Sequence, residues 1–131
     1  MKINSTPNDI KISCNILFDK LCNIENFKKI MPENTSKFEI INSNTLMFSL
    51  KGMPPIKLVY GEKISPSIIN LNSTESKINF SLTAHIKKID NNNCTFSLEF
   101  NGNLNPMIEM MIKTPLQSFI NNLSKNTTKL V

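Results

Sequence analysis

Apolar and polar residues change rhythm three times along this chain, and each rhythm predicts a different kind of element. The segment from Lys2 to Ile10 is polar and reads as an edge-like first strand. "ISCNILFDKL" then carries a helical pattern, with Ile16, Leu17 and Leu21 on one face. Ser13 is placed to cap it, because a short hydroxyl side chain can accept from an orphan N–H of the first turn. "NIENFKKIMP" predicts a second short helix: Asn23 caps it, Ile24, Phe27, Ile30 and Met31 line one side, and Pro32 ends it.

From Phe38 the period becomes two. Leu46, Phe48 and Leu50 alternate with Thr45, Met47 and Ser49, and "KGMPP" interrupts them as a loop. Ile56, Leu58 and Tyr60 resume the alternation, and Ile68 to Leu71 is a shorter run. Ile78, Phe80, Leu82, Ala84 and Ile86 precede a polar turn at Asp90 to Asn93, and Cys94, Phe96, Leu98 and Phe100 follow it. Strands with one apolar and one polar face belong to an antiparallel sheet covered on one side. After Asn105 the period returns to 3.6. Ile108, Met111, Ile112, Phe119 and Leu123 form one stripe of a long helix, and Glu109, Lys113, Gln117 and Asn121 form the opposite one. Asn105 is its expected cap and Pro106 its first residue, where a missing N–H costs nothing. Pro115, further in, is expected to remove one backbone hydrogen bond and bend the helix. Strand, two short helices, about six strands of meander and a long helix make an α+β layer fold, with residues 1–131 expected to form one domain.

Composition narrows the function classes. Fifteen basic residues against ten acidic give a net charge of +5, but every basic residue is Lys, and the crowding of Asn, Ile and Lys points to an AT-rich genome. The lysines are scattered, with only Lys28-Lys29 and Lys87-Lys88 adjacent, and no basic-aromatic strand motif is present, so no nucleic-acid partner is expected. Three cysteines in no C-x-x-C spacing and no apolar leader make a reducing cytoplasm the expected compartment. No run approaches the roughly twenty apolar residues of a membrane span, which leaves room only for transient contact with a membrane surface.

Candidate chemistry is sparse. The single histidine, His85, falls on the polar strand face with Thr83, so neither a metal nor another cofactor is expected. Cys14, Cys22 and Cys94 have no base beside them in sequence, and Cys94 sits on an apolar face. Glu99 and Glu109 read outward. Neither phosphate-binding glycine motif occurs. Among the inward positions only Tyr60 carries a proton to lend, so no catalytic residue is assigned.

The element order, together with "ENFKKIMPE", "FSLKGM", "LNPMIEMM" and the following "PLQSFI", resembles the START-like, or SRPBCC, superfamily over about Lys11 to Leu123. It is most similar to small single-domain members known from Bacteroidetes. The resemblance implies a helix-grip fold, as in the birch-pollen allergen: a curved antiparallel sheet of six or seven strands around the C-terminal helix, with a cavity between. The chain departs from larger members in having no Gly-rich loop at a cavity mouth. The first expectation is therefore a cytoplasmic protein that binds a hydrophobic small molecule such as a lipid, quinone or polyketide. Leu46, Phe48, Leu58, Tyr60, Phe80, Leu82, Phe96, Leu98, Met107 and Met111 are expected to line its cavity, with Tyr60 orienting the ligand. The second is a protein- or ribosome-interaction module using a basic outer surface around Lys87-Lys88. The third, an aromatase/cyclase-type enzyme, would need more polar groups inside than these residues supply.

Overall fold

A computed structural model describes every residue except Asn34, Lys51, Gly52, Ser76 and Lys77. The first two residues of the expected "KGMPP" loop lie outside the described residues.

The first strand forms in two pieces, β1 (Lys2–Asn4) and β2 (Asn8–Ile10). Both pair antiparallel with the same later strand, the register moving by one residue between Asn4↔Glu99 and Asn8↔Phe96. Pro7 has no N–H to give a ladder, and Ser5 substitutes locally: its N–H donates to the Leu98 carbonyl and its hydroxyl accepts from the Leu98 N–H. Helix α1 (Cys14–Leu21) follows, capped by the Ser13 hydroxyl, which accepts from the Ile16 N–H. A 3-10 turn at Ile24–Asn26, capped by Asn23, leads into the single turn α2 (Phe27–Ile30). Leu17, Phe18, Leu21, Ile24, Phe27 and Ile30 are buried, whereas Ile16 is 51% exposed and turns away from the face assigned to it by periodicity.

The meander then runs β3 (Thr35–Asn42), β4 (Thr45–Leu50), β5 (Ile56–Ile64), β6 (Ile68–Ser73), β7 (Phe80–Asp90) and β8 (Asn93–Gly102). The strand order is β1-β8-β7-β6-β5-β4-β3, with β2 also on β8. All pairs are antiparallel, and register shifts interrupt β3, β5 and β7. Such bulges bend a strand and raise its twist, which is how a sheet becomes a grip. One face carries Leu46, Phe48, Leu58, Leu71, Leu82, Ala84, Phe96, Leu98 and Phe100, all buried.

Helix α3 (Pro106–Asn126) closes that face and continues into a 3-10 turn at Thr127–Leu130. Its cap is Asn105, whose side-chain oxygen accepts from the Ile108 N–H at 2.9 Å, and Pro106 opens it. Ile112, Leu116, Phe119, Ile120 and Leu123 are its buried stripe. Phe119 stacks on Phe48 of β4, ring centroids 4.9 Å apart. Pro115 sits within the helix without ending it.

Candidate functional site

Between the sheet and the helices the interior is almost full. An apolar gap of about 10 Å³ lies there, lined by Leu21 and Phe27 with Ile30 from the short helices, Ile69 and Leu71 from β6, Ala84 from β7, Phe96 and Leu98 from β8, and Leu123 from α3. A water molecule needs about that much space and also polar partners. Every lining residue here is apolar, so the gap has nothing with which to hold water. A wider depression of about 500 Å³ lies on the opposite, outer face of α3, but Lys113, Thr114, Gln117, Ser118, Asn121 and Asn122 line it and it is open to solvent.

Tyr60 does not line the gap but bonds to one of its lining residues. Its hydroxyl donates to the Leu21 carbonyl at 2.6 Å, tying β5 to the last turn of α1. Its ring lies 6.2 Å from that of Phe27, and the Lys63 ammonium sits over the ring, 4.1 Å from its centroid. Leu21 and Phe27 therefore touch both Tyr60 and the gap. The register shift between Tyr60 and Lys63 brings the lysine over the ring, a cation–π contact of moderate strength at a half-exposed position. Burial pushes the Tyr60 phenol far above its usual range, and the neighbouring Cys22 thiol adds to the effect. Burial also raises the Cys22 thiol, opposed by Lys63 and reinforced by Asp19. Both groups are held neutral near pH 7, as donors rather than nucleophiles.

The expected lining residues separate into four groups. Phe96 and Leu98 line the gap, and Tyr60 is joined to it only through its bond to the lining residue Leu21. Leu46, Phe48, Leu58 and Leu82 are buried in the surrounding core. Phe80 is half-buried and stacks on Phe100 at 4.8 Å, at the end of the sheet where Phe80 pairs with Gly102. Met107 and Met111 do not face inward: they are 73% and 72% exposed, and Met110 is 84% exposed. Twelve residues separate Met111 from Leu123, about 18 Å along a helix, so the methionines and the gap occupy opposite ends of α3. The inward stripe begins at Ile108, which is partly buried against the core, and becomes fully buried at Ile112, while the three methionines point away from it. Sequence reasoning missed Leu21, Phe27, Ile30, Ile69, Leu71 and Leu123 as lining. Their apolar periodicity was visible, and Ala84 was read as inward, but nothing local indicates that the short helices close one end of the grip.

The remaining chemistry-bearing groups lie outside. His85 and Glu99 face each other on the outer sheet surface, Nε2 to Oε1 3.6 Å, with Lys2 3.8 Å from the same carboxylate. Cys14 and Cys94 are free and buried. Among the described residues no group of three or more His, Cys, Asp or Glu could hold a metal ion, and no helix is long and apolar enough to cross a membrane.

This architecture is a helix-grip fold. No family model matches the sequence, and a search of curated proteins finds no match. Solved structures do match in shape. Norcoclaurine synthase from Thalictrum flavum, in complex with dopamine and hydroxybenzaldehyde, superposes with a TM-score of 0.76 at 12% identity, over 99% of this chain and 85% of that one. A START superfamily protein from Mycobacterium smegmatis gives 0.70 at 9% identity over 99% of both chains. The di-domain ARO/CYC BexL gives 0.68 at 11% identity, over 96% of this chain and 46% of that one. At these identities the likeness is one of fold.

Proposed function

We propose that this protein binds a hydrophobic small molecule, taken into the space between the sheet, the short helices and the C-terminal half of α3. The observation that carries this reading is the wholly apolar gap behind a single hydrogen bond, Tyr60 to the Leu21 carbonyl. In the closed form that bond occupies the phenol. Breaking it frees one donor at the rim of an apolar chamber, and a ligand with an apolar body and one acceptor matches both features. The gap is far too small for a ligand as it stands. Binding therefore requires the short helices to move off β5 and β6, and these are small units, eight residues in α1 and four in α2. The neighbours of known ligand content support the reading by analogy of fold: the norcoclaurine synthase holds dopamine and hydroxybenzaldehyde. Apolar burial, at about 25 cal/mol per Å² removed from water, would then drive binding, with Tyr60 setting orientation.

The test is extraction of the purified protein and mass spectrometry of what co-purifies, followed by thermal-shift measurement across lipids, quinones and aromatic polyketides. A bound apolar compound, or a raised melting temperature with one ligand class, is expected. A clean extract together with no shift across the panel overturns the proposal.

A further inference from the structure

Strand β3 ends the sheet: among the described residues it pairs only with β4, and its other edge carries no strand. Such an edge is a template for another strand. Two register shifts, between Thr35 and Lys37 and between Ile40 and Asn42, leave a short regular stretch from Lys37 to Ile40. Phe38 and Ile40 stand opposite Phe48 and Leu46 of β4, so they share the sheet's inner face, while Lys37 and Glu39 are exposed on the outer one.

We propose that this edge pairs with the β3 edge of a second copy of the chain, antiparallel about a two-fold axis through Phe38. That register sets Lys37 of each copy opposite Glu39 of the other, and Phe38 opposite Phe38. The sequence Lys-Phe-Glu is thus complementary to itself under a two-fold, which a closed isologous dimer requires. Neighbouring registers lack this property. Sliding by two residues places Lys37 opposite Lys37 or Glu39 opposite Glu39, and like charges directly opposite are destabilising. Sliding by one turns the apolar face of the second copy to the other side. Two opposite-charge pairs and one aromatic pair per dimer favour a single arrangement, and the flanking bulges keep the edge from extending into longer assemblies. Nothing in this inference depends on the interior gap, so it stands or falls separately from ligand binding.

The experiment is sedimentation equilibrium of the full chain at low salt over a concentration series up to about 1 mM. A dimer is expected for the wild type. Glu39→Lys and Lys37→Glu each create two like-charge pairs and are expected to weaken it at least tenfold; both positions are exposed, so the variants keep the fold. An equimolar mixture of the two variants restores opposite charges at every pair and is expected to dimerise as well as wild type. A monomeric wild type throughout the series, single variants as dimeric as wild type, or a mixture that stays monomeric would each overturn the proposal.

Discussion

Tyr60 is the residue on which the closed state turns, and the chain makes it unusually easy to watch, since it is the only tyrosine and there is no tryptophan. Burial holds the folded phenol far above the ordinary value of about 10. Above that pH the unfolded chain releases the proton while the folded chain keeps it, so the unfolded state gains. The phenol's contribution is present in full below about pH 10 and declines as pH rises toward the folded value. In an alkaline titration, phenolate absorbance is expected to appear together with loss of structure rather than as a separate step near pH 10. Tyr60→Phe is expected to lose about 1 kcal/mol at pH 7, from the hydrogen bond to Leu21, and to show a shallower decline above pH 10 in urea denaturation. A free phenolate forming near pH 10 in the native protein would refute the clasp. Alternation alone marked Tyr60 as inward. It could not show that the hydroxyl is already engaged, because its partner lies thirty-nine residues earlier.

At the level of elements, α3 was legible in outline and misread at one end. Its cap, its opening proline and the burial of Ile112, Phe119 and Leu123 follow from the sequence, whereas Leu116, Ile120 and Ser124, also buried, were not singled out. The stripe failed at Met111 because periodicity says which residues share a face, not whether anything stands opposite that face. In the two N-terminal turns Ile108 packs against the core, but Met107, Met110 and Met111 remain in solvent. Pro115 adds to their independence: lacking an N–H, it leaves the Met111 carbonyl without its i+4 donor. The Asn105 cap and the packing of Ile108 against the core hold the first of these turns. Asn105→Ala is expected to raise amide exchange over residues 108–111 about fivefold, the equivalent of about 1 kcal/mol, while the global melting temperature changes little. A full drop in melting temperature instead would mean that these turns fold as one unit with the core. The short helices show the converse. Ser13 and Asn23 announced both starts, yet their place in the core depends on contacts with β5 and β7 that no local pattern encodes.

For the whole molecule, closure and capacity are separable properties, and different residues control them. In the proposed binding mode, closure would rest on the Tyr60–Leu21 bond and capacity on how fully Phe96, Leu98, Leu123 and their neighbours fill the interior. A gap of only about 10 Å³ admits a guest either when helices move or when atoms are removed. Leu98→Ala removes atoms: it is expected to cost about 2–5 kcal/mol in unfolding free energy and to leave a dry cavity that takes up benzene, seen as a raised melting temperature that the wild type lacks. Tyr60→Phe removes only the latch. It adds no appreciable room, so benzene should not stabilise it, but larger apolar ligands that need the short helices to move should bind it faster than they bind wild type. Stopped-flow uptake of a fluorescent fatty acid reads that rate. If Tyr60→Phe leaves the rate unchanged while Leu98→Ala accelerates it, the limiting step is the filling of the interior and not the clasp, and the route past Tyr60 is wrong.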